Sequence, residues 1–266
     1  MTGQLEGRVA IITGGGGGIG KGIALRFAAE GASVVIVNRS ETGAQTIEEI
    51  KESGGEGIWI ATDVSISEQV QDMVAKSISA FGRIDILVNN AAVQYLYPLW
   101  ELPETLFETM LRTNLGGYYH CAKYTIPHMI RQGKGVIINI SSNLAFRALA
   151  NFSGYSATKG GIVSMSRTLA LECAPYGIRV NCVCPGSTIT PIMDSILENF
   201  KDPQALLEAA GQVMPSGRLA EPEDVAKLAL FLATDESEMI LGTSVIIDGG
   251  ASIQLRNVDT SQFEQV

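Results

Sequence analysis

Histidine is scarce in this chain. Of 266 residues only His120 and His128 are histidines, both on a helical segment and without the H-E-x-x-H spacing of a zinc hydrolase. That scarcity argues against a Ser-His-Asp hydrolase, although Ser141 and Ser142 stand side by side. Cysteine is also sparse: Cys121, Cys173, Cys182 and Cys184 form no C-x-x-C pair, so a metal site is not expected. Cys182 and Cys184 alternate in an apolar run and read as small core residues. No unbroken apolar stretch is long enough to span a bilayer, and Met1 to Gly7 is too short and polar for a secretory signal, so a cytoplasmic protein without membrane partners is expected. The net charge of -9 leaves little to neutralise phosphates, which argues against nonspecific nucleic-acid binding.

What the chain does have is glycine next to an apolar strand. Arg8 to Thr13 (R-V-A-I-I-T) reads as a buried parallel strand and runs into Gly14-Gly15-Gly16-Gly17-Gly18-Ile19-Gly20. A helical pattern follows, with Ile19, Ile23, Ala24 and Phe27 on one face. Strand, glycine turn and helix form the context in which a dinucleotide pyrophosphate sits on a helix N-terminus. The next strand, Ser33 to Val37, ends at Asn38-Arg39-Ser40. NAD-selective sites usually place an acid here to hold the ribose hydroxyls. With an amide and a guanidinium instead, the pattern favours NADP, while NAD remains open for a dual-specificity site.

Further along, Tyr155 and Lys159 stand four apart in Y-S-A-T-K, with Ser142 before them. On a helix this spacing puts phenol and ammonium on one face. A free tyrosine titrates near ~10, and a fixed lysine cation favours its phenolate. Ser142 is placed to hold the oxygen that gains or loses the proton. The trio suits interconversion of an alcohol and a ketone.

Taken together, T-G-G-G-G-G-I-G at 13–20, D-V at 63–64, N-N-A-A at 89–92, Asn114, I-S-S at 140–142, Y-S-A-T-K, P-G at 185–186 with Thr190, and I-D-G-G at 247–250 resemble the short-chain dehydrogenase/reductase family in its compact form. The resemblance covers about Gly7 to Gly250. It implies Asn114, Ser142, Tyr155 and Lys159 as the catalytic set, with Asn114 holding a water that links Lys159 to solvent. It implies a cofactor site drawn from Gly14, Gly18, Ile19, Gly20, Asn38, Arg39, Asp63, Val64, Asn90, Ala91, Pro185, Gly186, Thr188 and Thr190, together with Tyr155 and Lys159. In that scheme Asp63 contacts the adenine amino group and Asn89 steadies the strand ends. Ala92 replaces the usual last glycine of N-N-A-G, and Leu171 stands where ketoacyl-carrier reductases often have arginine.

Later strand candidates are Ile84 to Val88, Gly135 to Ile140, Ile178 to Val183 and Thr243 to Ile247, with an earlier one at Gly57 to Ala61. A seven-stranded parallel sheet with helices on both faces, doubly wound (Rossmann-type) in one α/β domain over 1–266, is therefore expected. A small-molecule substrate would meet Gln94, Ser142, Asn143, Arg147 and Tyr155, Arg147 as an anion partner, beside an apolar wall including Tyr95, Phe152 and Met193. A lid is expected at 188–217, with helical patterns at Met193 to Phe200 and Pro203 to Gly211, and a polar tail at 251–266. The resemblance also implies a homotetramer built on long helices at 104–132 and 154–173, although their apolar faces serve equally well as core. Alternative functions are a 3-ketoacyl-carrier reductase, a non-catalytic nucleotide-binding protein, or an epimerase or dehydratase that uses nicotinamide transiently.

Overall fold

The computed structural model describes residues 3–191, 193, 201–212 and 214–254. Its strands are β1 (Val9–Thr13), β2 (Ser33–Asn38), β3 (Glu56–Ala61), β4 (Ile86–Asn89), β5 (Gly135–Ile140), β6 (Ile178–Pro185) and β7 (Ser244–Ile247). All pairings are parallel and the order is β3-β2-β1-β4-β5-β6-β7. The doubly wound sheet expected from the sequence is the one observed.

Burial on both sides explains the continuous apolar strands. In β1, Ala10 and Ile12 face a core completed by α1 (Gly18–Ala29), α2 (Thr42–Glu52) and the helix Pro222–Ala233. Val9 and Ile11 face the opposite core, completed by α3 (Ser67–Phe81), the helix Gly117–Gln132 and the helix Ser153–Cys173. Period-two alternation that is apolar at both phases can only belong to a strand covered twice.

The helical region expected over 104–132 is divided. It comprises α4 (Glu104–Met110), a π-helical turn (Leu111–Gly116) and α5 (Gly117–Gln132). Next come α6 (Ser153–Cys173), α7 (Pro203–Gln212) and α8 (Pro222–Ala233). Apart from Met193, the helical pattern expected over Met193 to Phe200 lies outside the described residues, as does the tail beyond 254. Strand β4 begins at Ile86 rather than Ile84; Asp85 still bonds through its backbone to Val9 and Val136, but the Ile84 backbone is taken up by the Gln132 side chain.

Chain order reverses between β1 and β4, opening a crevice at the carboxyl ends of those strands, where open α/β sheets bind ligands. Two side-chain networks fix this edge. Thr13 Oγ1 accepts from the backbone N–H groups of Asn90 and Ala91 at 2.9 and 3.1 Å, and Asn90 Nδ2 returns a bond to Thr13 O at 2.9 Å. Deeper in, Asn89 donates to Asn139, which donates to Ser166 at 2.7 Å. The expectation that Asn89 steadies the strand ends holds.

The glycine turn is packed as closely as its composition suggests. A Cβ on Gly20 would sit 2.2 Å from the Gly14 carbonyl oxygen, and Gly14 itself has φ +68. Gly20→Ala is expected to destabilise the fold by about 1–3 kcal/mol through overpacking against backbone, measured as a lower thermal unfolding temperature.

Candidate active site

Three segments converge at the carboxyl ends of β4 and β5. Ser142 follows β5 in extended backbone and caps a short 3-10 turn, its Oγ accepting from Leu144 N at 3.1 Å. Tyr155 and Lys159 occupy successive turns of α6. Asn114, fully buried, comes from the π turn. The structure thus brings the expected catalytic set together, and the i, i+4 reasoning about Tyr155 and Lys159 holds.

Lys159 is buried, and its Nζ donates to Ile140 O at 2.8 Å. The same ammonium lies 5.5 Å from the ring centroids of both Tyr118 and Tyr155. Tyr118 was not anticipated; its hydroxyl also donates to Ile140 O, at 2.9 Å. An apolar-looking helix position gave no signal for it. Ser141 Oγ donates to Lys159 O at 2.9 Å, so strand end and helix hold each other in both directions.

The electrostatics differ from the simple expectation. Burial pushes the Tyr155 hydroxyl up to about 12, opposed by a hydrogen bond with Ser142. Burial pulls Lys159 down to about 8, opposed by the neighbouring Cys184 and Cys182. The phenol therefore lies above the neutral range in this geometry, and its burial is the dominant cause.

The Asn114 side chain is committed to protein partners. Its Oδ1 accepts from Val93 N at 2.8 Å while Nδ2 donates to Val93 O at 2.9 Å and to Thr158 Oγ1 at 3.2 Å. The amide is a staple between the β4 loop and α6, and it makes no contact with Lys159. Asn90 and Ala91 likewise bind the β1 end, with Asn90 Nδ2 also 3.3 Å from Gly14 O.

The nucleotide end of the crevice fits a dinucleotide. Helix α1 begins at Gly18 with no side-chain cap and no acid in its first turn, which leaves a positive terminus for a phosphate. Gly16 approaches the β2 end so closely that a Cβ there would meet Thr42 Oγ1 at 2.5 Å and Asn38 Nδ2 at 2.6 Å. Ile19 packs on the core beneath. Asn38 Nδ2 donates to Ser40 Oγ and Thr42 Oγ1 at 2.9 and 2.8 Å. The absence of an acid near Arg39, inferred from the strand end alone, is corrected: Arg39 lies 3.5 Å from Asp63. Val64 is buried, its carbonyl bonded to His120 Nδ1 at 3.0 Å, so that histidine serves packing.

On the far side, Gly186 N donates to Ile247 O at 3.0 Å, and Thr188 Oγ1 donates to Gly186 O, following Pro185 at the end of β6. Thr190 packs on Gly18, 3.2 Å from where its Cβ would lie. Gln94 is half-buried on the β4 loop. Two expected substrate contacts are redirected. Asn143 Nδ2 donates to Asp248 at 3.2 Å, and Arg147 donates to the Ala251 carbonyl. A guanidinium bonded to a backbone carbonyl is a clamp on the chain after β7, which argues against its expected role as a substrate anion partner.

Among the described residues no group of three or more His, Cys, Asp and Glu is arranged to hold a metal, and no helix is long and apolar enough to cross a membrane.

Fold and site define a Rossmann-type dinucleotide-binding oxidoreductase. A family model described as Enoyl-(Acyl carrier protein) reductase matches residues 15–252. The L-fucose dehydrogenase of Bos taurus is 37% identical over 252 residues, covering 94% of this chain and 91% of that protein. The 3-oxoacyl-(acyl-carrier-protein) reductase FabG of Thermotoga maritima is 36% identical over 251 residues, covering 94% of this chain and 100% of that one. The crystal structure of a levodione reductase superposes with a TM-score of 0.90 at 33% identity, covering 94% of this chain and 100% of that one. The chain belongs to the short-chain dehydrogenase/reductase family and is an NAD(P)-dependent enzyme acting on alcohol groups.

A buried ammonium with a depressed pKa costs stability. The folded state binds fewer protons than the unfolded state between about pH 8 and the ordinary lysine value, so stability rises with pH across that window and the penalty is fully present below it. Lys159→Met is therefore expected to raise stability at neutral pH by about 1–3 kcal/mol, with Tyr118 still satisfying the Ile140 carbonyl. Thermal unfolding at pH 7 measures this.

Proposed function

We propose that this enzyme interconverts a secondary alcohol and a ketone with NADP as its preferred dinucleotide. The observation that carries the reading is the convergence of Ser142, Tyr155 and Lys159 around the end of β5. When bound, the nicotinamide supplies or accepts the hydride. Tyr155 gives the proton to the carbonyl oxygen in reduction and takes it in oxidation. Ser142, whose side chain lowers the Tyr155 hydroxyl against burial, orients the substrate oxygen. Lys159 stabilises the phenolate and binds the nicotinamide ribose. With the Asn114 amide committed to Val93 and Thr158, a proton-relay water falls to its main-chain carbonyl.

For the cofactor, Gly14, Gly18, Ile19 and Gly20 line the pyrophosphate. Asp63 and Val64 flank the adenine, Asn90 and Ala91 the ribose side, and Pro185, Gly186, Thr188 and Thr190 the carboxamide. Asn38 and Arg39 face the adenosine ribose, where the guanidinium favours a 2′-phosphate. The substrate class is a sugar, polyol, hydroxy acid or steroid-like alcohol, supported by relatives that include an L-fucose dehydrogenase. Gln94, Ser142 and Tyr155 are its polar contacts, with Asn143 and Arg147 holding the loop around it. A 3-ketoacyl-carrier reductase is the second reading, favoured by the similarity to FabG. The net charge of -9 and an exposed Leu171 give an acidic carrier little to dock on. A cytoplasmic homotetramer with the 188–217 segment closing as a lid completes the proposal.

Tyr155→Phe is expected to lower turnover by about 10²–10⁴-fold while NADPH binding persists; equal loss of both would reduce the role of Tyr155 to packing. A screen of alcohols and ketones with all four dinucleotides, followed at the nicotinamide absorbance, tests the reaction class. The reductive rate is expected to hold at neutral pH and fall above about 8, as Lys159 loses the proton that stabilises the phenolate. A pH–rate profile checks this.

A further inference from the structure

Strands β2 and β3 pair in register with Asn38 opposite Ala61. The residues just beyond these ends are therefore neighbours: Arg39 after β2, and Asp63 in the turn after β3. Sites that select NAD carry an acid at the end of β2. This chain carries its acid one strand over, within reach of the same place.

The carboxylate is fixed there. Asp63 Oδ1 accepts from Ser65 N at 2.9 Å and from Ser65 Oγ at 2.7 Å, while Asp63 N donates to Gln69 Oε1 at 2.8 Å. Only Oδ2 is turned to Arg39, at 3.5 Å. Arg39 is the more exposed partner, with its side chain 65% exposed against 25% for Asp63. A long flexible cation faces a short anchored anion. Burial works against the Asp63 charge, but the Ser65 bonds and Arg39 hold its carboxyl below the ordinary value, so it is ionised at neutral pH.

We propose that Asp63 is a specificity-determining residue that competes with the 2′-phosphate of NADP for Arg39 and thereby limits the preference for NADP over NAD. The inference rests on the reading of Arg39 as the phosphate-facing cation. A phosphate dianion must draw Arg39 off a fixed carboxylate and also sit near that carboxylate. A ribose hydroxyl meets neither cost. Any contact of Asp63 with the adenine is common to both dinucleotides and cancels in their ratio. Exposed ion pairs are worth little individually, so the effect is one of tuning.

The test is equilibrium titration of NADPH and NADH, read by nicotinamide fluorescence at low ionic strength, into the wild type, Asp63→Asn, Arg39→Ala and the double variant. Both ligands titrate the same folded fraction, so partial misfolding of a variant leaves the affinity ratio intact. Asp63→Asn is expected to raise the NADPH-to-NADH affinity ratio about two- to fivefold. The gain should shrink with added salt and vanish in the Arg39→Ala background. An unchanged ratio would confine Asp63 to adenine contact, and a lowered one would make it an aid that orients Arg39; either overturns the proposal. If Arg39→Ala alone leaves NADPH affinity unaltered, the NADP reading itself fails, and the competition fails with it.

Discussion

The bond from Lys159 Nζ to the Ile140 carbonyl is the constraint on which the site rests. An ammonium out of water has to be hydrogen-bonded, and very few acceptors are available inside an α/β core. The last carbonyl of β5 is one of them, because β4 has ended beside it and Ala91 N is taken by Thr13. Satisfying the lysine fixes α6 against β5. The Ser141 bond to Lys159 O closes the same joint from the other side, and the Tyr118 hydroxyl brings α5 to it. Ser142 and Tyr155 inherit their positions from this joint.

Burial at that joint separates two groups that would otherwise titrate close together, moving the phenol to about 12 and the amine to about 8. The proton donor is thereby kept charged with its proton, while the cation is held near the point of losing its own. Opposed shifts of this kind are how one enclosed site distinguishes its acid from its base. Here the same desolvation produces both, since it disfavours an anion on Tyr155 and a cation on Lys159 alike.

The parts of the site that were legible beforehand are contiguous in the chain. The glycine turn and the Tyr155–Lys159 pair each lie within one local period, so spacing alone places them on a turn or a helix face. The seven strands were legible for the same reason, with ends shifted by one or two residues where ladder pairing with a neighbour decides them, as in the extension of β6 to Pro185 beside β7. The Arg39–Asp63, Asn143–Asp248 and Arg147–Ala251 contacts join residues 24, 105 and 104 positions apart. No periodicity carries such pairings, and each altered the role given to a charged or amide side chain. Tyr118 and the stapling by Asn114 escaped for a related reason: a polar tip buried on an apolar helix face looks like packing until its acceptor is known.

The π turn between α4 and α5 has a geometrical consequence. One extra residue in a helical turn advances the helical phase by about 100° relative to an unbroken α-helix. The segments before and after the turn can then present different faces to the protein. Helix α4 and the turn itself pack against α6, whereas α5 packs against α3 and the sheet. An uninterrupted helix could direct its apolar stripe at only one of these surfaces. The dislocation also drives Asn114 inward at the point where the stripe changes direction, so a polar residue reaches full burial without displacing either apolar face.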